Sequence, residues 1–274
     1  MSEGHVVITG GAGGIGRGIA RVFAREGWDI TLIDFRADAL QDAVADLKAN
    51  IAAAGRCSFV TADLTSRTEP TDVVSSVWND SAPIDVLVNG AGIYPSTPLD
   101  EMTVEVWDAV LDVNLRAAVL ASVAFAKLVK AAGGTGNIVN ISSGAALRAR
   151  YGAAPYTTSK AALEMFTKAS ALEYGAAGIR VNAVSPGYVA VASPVNPSSD
   201  EYRVKVDTNP LGIDGDAEDI GEAVYWITST KARWVTGTVL RVDGGSSAGN
   251  SALPRSWSTM SLGSKGVIGG DEAI

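Results

Sequence analysis

The sequence predicts an α/β protein built on a doubly wound parallel sheet with helices on both faces. Short apolar runs alternate with helix-length segments along most of the 274 residues, as expected for strands joined by helical crossovers. The first apolar run, residues 5–9, ends in the glycine-rich turn GGAGGIG at residues 10–16. The second run, residues 30–33, ends on Asp34, so the first unit reads strand, glycine turn, helix, strand and acid.

The remaining elements follow in the same alternating order. Apolar runs predict strands at residues 57–60, 84–89, 137–142, 180–185 and 238–243. Helical patterns predict helices at residues 38–54, 66–81, 103–132 and 216–229, together with a helix that begins near Pro155 and stops at Gly175. We expect one domain over residues 1–245 and a Gly/Ser-rich extension at residues 246–274, which packs on its own domain or on a neighbouring subunit.

Composition and charge narrow the class of protein. Hydrophobic residues make up 47% of the chain and charged residues 19%, as in a globular protein, and the net charge of -8 argues against a nucleic-acid partner. His5, the single histidine, stands at the start of the first predicted strand, which excludes a Ser-His-Asp triad, and with Cys57 as the single cysteine a metal site is improbable. No run approaches a membrane span and no signal peptide precedes the first strand, so we expect a cytoplasmic protein without membrane contact.

The glycine turn and Asp34 point to a dinucleotide cofactor. Glycines let the backbone approach a pyrophosphate, and the N-terminus of the following helix supplies amides and partial positive charge. Asp34 can accept hydrogen bonds from the adenosine ribose hydroxyls and would repel a 2′-phosphate. Arg36 could attract that phosphate, but we expect it to be a solvated loop residue. The sequence therefore predicts NAD rather than NADP.

Two polar residues further along the chain have roles that the sequence leaves open. Asp63 follows the third strand and either accepts a hydrogen bond from the adenine amino group or caps a helix. Asn114 lies inside a predicted helix, where asparagine is unfavourable. It is either a polar group satisfied in the core or part of a bend that orders water.

Ser143, Tyr156 and Lys160 carry the candidate chemistry. Ser143 follows a strand at the end where open α/β sheets bind their ligands. Tyr156 and Lys160 are four residues apart and share one face of a helix. We expect the lysine cation to lower the tyrosine pKa from about 10 and so to make the phenol a general acid and base. Taken alone, however, such a pair is more often a surface pattern of a helix.

Together these motifs resemble the short-chain dehydrogenase/reductase family over about residues 5–245. The matching motifs are Thr9-Gly10-x-x-x-Gly14-x-Gly16, Asp63-Leu64, Asn89-x-Ala91-Gly92, Asn114, Ser143, Tyr156-x-x-x-Lys160 and Pro186-Gly187. The resemblance implies a Rossmann-type sheet of seven parallel strands and a homotetramer or homodimer. It also implies hydride transfer between NAD(H) and a secondary alcohol or ketone.

The resemblance further implies a role for each site residue. Tyr156 would take the hydroxyl proton in oxidation and return it in reduction, while Lys160 would lower the pKa of Tyr156 and bind the nicotinamide ribose. Ser143 would hydrogen-bond the substrate oxygen, and Asn114 would position a water that links Lys160 to solvent. The residues expected to bind the cofactor are Gly10, Gly13, Gly14, Ile15, Gly16, Asp34, Phe35, Asp63, Leu64, Asn89, Ala91, Gly92, Tyr156, Lys160, Pro186, Gly187 and Val189.

Two positions depart from the family's pattern. Gly90 replaces an asparagine found in many members, which should affect sheet support more than chemistry. Val191 stands where many members bind the nicotinamide amide through a threonine. The backbone of Val189 can still meet the carboxamide, but a hydroxyl is missing. Residues 188–210 are expected to form a lid or specificity loop.

The expected substrate wall is mixed, with both apolar and hydroxylated groups, and fits a small cyclic alcohol, a sugar or a polyol. The residues expected to line it are Tyr94, Ala145, Leu147, Tyr151 and Tyr188. Arg148 and Arg150 could attract an anionic substrate, but we expect them to be solvated or intersubunit charges.

Two other functions stay open at this point. An NADPH-dependent reductase of 3-oxoacyl thioesters is disfavoured by Asp34 and by Gly13, because many NADP-using members carry a basic residue in that turn. A catalytically silent NAD-binding scaffold is disfavoured because Ser143, Tyr156 and Lys160 are all present.

Overall fold

A computed structural model describes residues 3–191 and 209–249, and a parallel seven-stranded sheet forms its centre. The strands are β1 (His5–Thr9), β2 (Asp29–Asp34), β3 (Cys57–Thr61), β4 (Val86–Asn89), β5 (Gly136–Ile141), β6 (Ile179–Pro186) and β7 (Val239–Val242). Their order in the sheet is β3-β2-β1-β4-β5-β6-β7, and every neighbouring pair is parallel. The predicted Rossmann-type fold is confirmed.

Helices cover both faces of this sheet. The described α-helices are α1 (Gly14–Arg25), α2 (Ala37–Asn50), α3 (Glu69–Asp80), α4 (Val104–Leu111), α5 (Ala117–Ala132), α6 (Ala154–Tyr174) and α7 (Ala217–Thr228). One hydrophobic cluster joins side chains of α1, α2 and α7 to Val6 and Ile8 of β1, and a second joins α3 and α5 to Val7. Since successive strand residues point to opposite faces, the two clusters lie on opposite sides of the sheet.

The long helix predicted at residues 103–132 is present, but it is interrupted. A five-residue π-helix, Asp112–Arg116, lies between α4 and α5. The continuous run Val104–Ala132 has 29 residues and is long and apolar enough to cross a membrane by length and composition. The expectation that no run approaches such a length is therefore wrong. Half of its most apolar window is buried inside the protein, as in the core helix of a folded domain.

The turns that carry the motifs meet at one edge of the sheet. Thr9 at the end of β1 pairs with Asn89 of β4, and Asn89 pairs with Asn140 of β5. The carboxyl ends of these strands, and the turns that follow them, are therefore side by side. The strand order reverses between β1 and β4, which is the switch point where open α/β sheets bind their ligands.

Candidate active site

Ser143 and Tyr156 meet where β5 ends and α6 begins. Ser143 keeps an extended backbone after β5, and its hydroxyl accepts a hydrogen bond from the amide of Ala145 at 3.1 Å. Tyr156 lies in the first turn of α6, which has Pro155 among its opening residues. The Ser143 side chain lies close enough to the Tyr156 hydroxyl to lower the pKa of Tyr156 through hydrogen bonding. The sequence-predicted pair is thus brought together, with the Tyr94 ring 5.4 Å from the Tyr156 ring.

Lys160 is buried behind this pair. Its ammonium Nζ donates to the backbone carbonyl of Ile141 at 2.8 Å and lies 6.0 Å from the centre of the Tyr156 ring. The side chain is only 4% exposed, and this burial lowers the pKa of Lys160 to about 8. A buried lysine with such a pKa can exchange a proton close to neutral pH.

The tyrosine pKa does not follow the sequence prediction. Burial raises the pKa of Tyr156, and this effect exceeds the lowering that comes from the Ser143 hydrogen bond and from the charge of Arg150. The expectation that Lys160 lowers this pKa is wrong, because the lysine directs its ammonium to the carbonyl of Ile141. The positive charge of Arg150 lowers the pKa of Tyr156. The sequence had led us to expect Arg150 as a solvated or intersubunit charge.

Asn114 lies inside the π-helix and is almost fully buried. Its amide nitrogen donates to the carbonyl of Ile93 at 2.9 Å and to the hydroxyl of Ser159 at 3.1 Å, and its amide oxygen accepts from the amide of Ile93 at 2.8 Å. Both alternatives for Asn114 therefore hold in part. Its side chain is a satisfied core group, and the backbone around it is a π-helix rather than a regular α-helix. Its contact with a water remains a prediction.

The glycine turn between β1 and α1 is packed so closely that a side chain at two of its positions would collide with neighbouring atoms. Gly10 has a φ of 70°, which favours glycine. A Cβ on Gly16 would lie 2.3 Å from the carbonyl oxygen of Gly10, and a Cβ on Gly14 would lie 2.5 Å from the Cβ of Val191. The first turn of α1 carries no acidic side chain, so its positive end is left for an anion. These residues fit a dinucleotide pyrophosphate, with Gly13 and Ile15 in the same turn.

Asp34 and Arg36 form an ion pair at the end of β2. Arg36 Nε donates to Asp34 Oδ1 at 3.0 Å and Nη2 donates to Oδ2 at 3.1 Å, while the amide of Ala12 donates to Oδ2 at 3.3 Å. The Arg36 side chain is 21% exposed and that of Asp34 is 6% exposed. The expectation of a solvated Arg36 is therefore wrong. Phe35 between them is 60% exposed, which suits a flat ligand surface, and Arg36 lies 5.6 Å from the centre of its ring.

The turns after β3 and β4 border the same edge. Asp63 is exposed, and its Oδ1 accepts from the amide and hydroxyl of Thr65 at 2.9 and 2.7 Å, whereas Leu64 is buried. Asp63 therefore stabilises its own turn, and a bond to adenine stays a prediction. Asn89 donates to Asn140 at 2.8 Å inside the sheet, and the amide of Ala91 donates to the Thr9 hydroxyl at 3.4 Å.

Gly92 lies directly above the catalytic residues. A Cβ on Gly92 would lie 3.5 Å from both Asn114 Oδ1 and Lys160 Nζ. The surface next to Lys160 is therefore formed here by backbone rather than by a side chain.

The segment after β6 begins as the sequence predicts. Pro186 ends the strand, and the amide of Gly187 donates to the carbonyl of Val242 at 2.9 Å. Val189 forms an isolated bridge with Gly215, and the side chain of Val191 contacts Gly14. Most of the expected lid at residues 188–210 lies outside the described residues, as does the extension from residue 250 onward.

The residues expected to line the substrate differ in exposure. Tyr94 contacts Tyr156, and the charge of Tyr188 acts on Tyr94. Ala145 follows Ser143 in a short 3₁₀ turn. Leu147 is 52% exposed and Tyr151 is 86% exposed, so these two lie toward the outer rim.

Sequence reasoning missed several residues around the site. They are Ile93 and Ser159, which hold Asn114, Arg150, which acts on Tyr156, and Glu164 and Arg241, which lie behind Ser143. Glu164 had a usable signal, because it follows Lys160 by four residues on the same helix face. The others are brought to the site by the fold.

Comparison with known proteins is consistent with this geometry. A family model described as enoyl-(acyl carrier protein) reductase matches residues 10–247. Gluconate 5-dehydrogenase of Gluconobacter oxydans is 33% identical over 89% of this chain and 95% of that protein. Cyclopentanol dehydrogenase of Comamonas sp. is 33% identical over 90% of this chain and 98% of that protein. A 3-oxoacyl-[acyl-carrier-protein] reductase of Chlamydia muridarum is 33% identical over 87% and 95%.

A solved structure extends the likeness to the fold. A Beutenbergia cavernae protein assigned as an NAD(P)-dependent gluconate 5-dehydrogenase, with NADP at low occupancy, matches with a TM-score of 0.82 and 33% identity. The match covers 91% of this chain and 98% of that chain. The chain therefore belongs to the short-chain dehydrogenase/reductase family of NAD(P)-binding oxidoreductases, as the motifs predicted.

Proposed function

We propose that this protein oxidises a secondary alcohol, or reduces the corresponding ketone, with NAD(H) as cofactor. The observation that carries the proposal is that Ser143 and Tyr156 meet where β5 ends and α6 begins, with Lys160 buried one helical turn further along α6. A hydroxyl pair with an adjacent cation is suited to moving a proton on and off a substrate oxygen.

Each residue has a defined part in this chemistry. The Tyr156 oxygen accepts the substrate's hydroxyl proton in oxidation and returns it in reduction. Ser143 donates to the substrate oxygen and stabilises the negative charge that develops there. Lys160, whose pKa is about 8, supplies positive charge and relays the proton, with Asn114 and the π-helix ordering the path to solvent. When bound, the nicotinamide supplies the hydride acceptor or donor.

NAD would lie along the edge from the glycine turn to β6. The glycines of the turn hold the pyrophosphate, Asp34 and Phe35 hold the adenosine, and Lys160 with the Pro186–Val189 segment holds the nicotinamide end. Asp34 supports NAD because a carboxylate at the end of β2 would repel a 2′-phosphate. Arg36 must release one side of Asp34 before the ribose hydroxyls can bind there.

A small cyclic alcohol, a sugar or a polyol suits the lining best. Tyr94, Tyr156 and Tyr188 combine ring surface with hydroxyl groups, and Ala145 leaves space beside Ser143. The names of two relatives, a cyclopentanol dehydrogenase and a gluconate 5-dehydrogenase, agree with this class. We also propose one domain over residues 1–245, a homotetramer or homodimer and a cytoplasmic location.

The direct test is Tyr156→Phe assayed against a panel of cyclopentanol, cyclohexanol, galactitol and gluconate. We expect wild type to reduce NAD with at least one of these alcohols and the variant to lose about 10³-fold or more in turnover. NAD binding, measured by titration calorimetry, should be retained because the glycine turn is unchanged. Undiminished turnover in the variant would refute the acid/base role.

The cofactor choice is tested with two variants of the Asp34–Arg36 pair. Asp34→Ala should weaken NAD binding roughly tenfold and strengthen NADP binding, since Arg36 is released toward the phosphate. Arg36→Ala, the matched control, should weaken NADP binding relative to wild type and should keep or strengthen NAD binding, because Asp34 is then free of its ion pair.

The ion-paired Arg36 favours one second candidate, an NADPH-dependent reductase of 3-oxoacyl thioesters like the Chlamydia muridarum relative. Calorimetry on the wild-type protein separates the two functions. Tighter binding of NADP than of NAD would mean that Arg36 outweighs Asp34 and would favour this reductase.

A further inference from the structure

A cluster of buried and partly buried polar side chains lies next to the proposed catalytic residues. We call Ser142, Glu164, Ser185 and Arg241 the Glu164 cluster. The Ser142 hydroxyl donates to Glu164 Oε1 at 2.7 Å. Arg241 donates to both carboxylate oxygens, through Nη1 at 2.7 Å and Nη2 at 2.9 Å, and its Nη1 also donates to the Ser185 hydroxyl at 2.6 Å.

The cluster is largely shielded from water. The Glu164 side chain is 12% exposed and that of Arg241 is 23% exposed, while Ser142 and Ser185 are buried. A two-pronged contact between arginine and carboxylate in such surroundings is strong and fixes the orientation of both groups. Removing one partner would leave the other charge partly shielded from water and without its counter-charge.

The cluster joins the four elements that deliver the site. Ser142 immediately precedes Ser143, and because Ser143 keeps an extended backbone the two hydroxyls point to opposite sides. Glu164 follows Lys160 by one helical turn on α6. Ser185 immediately precedes the Pro186-Gly187 turn at the end of β6, and Arg241 lies on β7. No group of the Glu164 cluster belongs to the Ser143–Tyr156 pair itself.

We propose that Glu164 is a positioning residue. Through its contacts with Ser142 and Arg241, it fixes the position of the Ser143 hydroxyl relative to the start of α6. This inference rests on the proposed function, because it assigns Ser143 and Tyr156 to the reaction. Glu164 acts through the backbone of β5 and the helix of α6. A shift of about 1 Å in a catalytic group can reduce the rate about 100-fold, so the orientation supplied by this one carboxylate is significant.

Two substitutions test the role with little change in size. Glu164→Gln keeps the shape of the side chain but places an amide donor against Arg241, and Ser142→Ala removes only the link to β5. We expect kcat for the best alcohol of the panel to fall roughly 10- to 100-fold in Glu164→Gln and roughly 3- to 10-fold in Ser142→Ala. The Kd for NAD should stay within about twofold, because the interaction lost acts in the chemical step.

A second readout needs neither substrate nor cofactor. The ionisation of Tyr156 is followed as the difference in ultraviolet absorbance between each protein and its Tyr156→Phe derivative during a pH titration. The Ser143 hydrogen bond lowers the pKa of Tyr156. A displaced Ser143 should therefore move the midpoint in Glu164→Gln to higher pH, and the pH profile of alcohol oxidation should move in the same direction.

Two controls separate positioning from simple destabilisation. Asp46→Asn breaks the ion pair that Asp46 forms with Arg21 at 2.8 Å between α1 and α2, and should leave kcat and the midpoint unchanged. The double variant Glu164→Leu/Arg241→Met removes both charges and should recover much of the thermal stability. We expect its kcat to remain low, since the hydrogen bonds to Ser142 and Ser185 are still absent.

The outcomes distinguish this inference from the proposed function. A folded Glu164→Gln protein with unchanged kcat and midpoint, or a double variant with restored kcat, would overturn the positioning role. Either result is compatible with the loss of turnover in Tyr156→Phe. Full turnover in Tyr156→Phe would instead overturn the proposed function, and the inference with it.

Discussion

The nucleotide half of the molecule, from β1 to β3, and the catalytic half, from β5 to β7, build their parts of the site in different ways. In the nucleotide half, the turn after β1 consists of closely packed backbone, and a Cβ on Gly16 would lie 2.3 Å from the carbonyl oxygen of Gly10. In the catalytic half, the buried Lys160 and the partly buried pair of Glu164 and Arg241 hold the turn after β5. The glycine turn of the nucleotide half has no space for side chains, whereas the turn after β5 in the catalytic half is held by particular side chains.

This difference predicts which changes each half tolerates. Added atoms should be most harmful around the glycine turn, where the neighbours are backbone and have little freedom to move. Changed charge should matter most around Lys160 and Glu164, because desolvation makes each buried charge costly unless it is compensated.

The largest effect is expected for Gly16→Ala in the nucleotide half. The new Cβ would meet the Gly10 carbonyl oxygen at 2.3 Å and the Gly11 Cα at 2.9 Å, so the turn must move. We expect a loss of about 3 kcal/mol or more in the free energy of unfolding, and NAD binding too weak to measure by calorimetry. Urea denaturation gives the stability.

The matched control for this prediction is Gly134→Ala. A Cβ on Gly134 would have no neighbour within 4 Å, so its free energy of unfolding should stay within about 0.5 kcal/mol of wild type. Equal stability of the Gly16→Ala and wild-type proteins would contradict the close packing of the turn.

The nucleotide half was also the easier to predict from the sequence. The glycine turn, β2 and Asp34 lie within thirty residues of one another, and each is signalled by local backbone demands or by periodicity. The fold class followed from the same periodicity along the whole chain. The Arg36 contact was missed even here, because sequence spacing does not determine which way a long side chain turns.

The catalytic half was predicted in its residues but not in its interactions. Ser143, Tyr156 and Lys160 were found by spacing, yet the ammonium contact with Ile141 depends on how deeply α6 packs. Arg241 lies 77 residues from Glu164, and no local pattern joins them. The unfavourable position of Asn114 signalled an irregular helix, but the π-helix itself depends on packing against neighbouring elements.

The second prediction is that the catalytic lysine destabilises the fold. Burial shifts the pKa of Lys160 from 10.5 to about 8, which corresponds to about 3 kcal/mol of destabilisation while the lysine is charged. Lys160→Met removes this cost and loses one hydrogen bond, so we expect a net gain of about 2 kcal/mol in the free energy of unfolding at pH 7. Turnover should be lost.

The pH dependence of this gain has a definite sign. Below pH 8 the lysine is charged in both the folded and the unfolded states, so its full cost is present. Between about pH 8 and pH 10.5 the unfolded state binds more protons, so wild type gains stability and the advantage of Lys160→Met shrinks. Urea denaturation at pH 7, 8.5 and 10 tests this, and a less stable variant at pH 7 would contradict it.

The smallest effect on stability is expected for His5, which begins β1 at the edge of the sheet opposite the site. His5 is buried, and its ring contacts the carbonyl of Ala82 at 3.1 Å and the Thr31 hydroxyl at 2.9 Å. Burial lowers the pKa of His5 below its ordinary value of 6.5. The unfolded state therefore binds more protons as the pH falls below about 6.5, and folding stability decreases there.

His5→Gln keeps polar contacts but cannot titrate in this range. We expect wild type and variant to differ by a constant amount from pH 7 to pH 8, and wild type to lose up to roughly 1 kcal/mol more than the variant between pH 6.5 and pH 5. Urea denaturation across this range measures the difference directly. Parallel curves of unfolding free energy against pH would mean that the titration of His5 does not affect stability. The comparison would then assign the pH dependence of stability to the catalytic half alone.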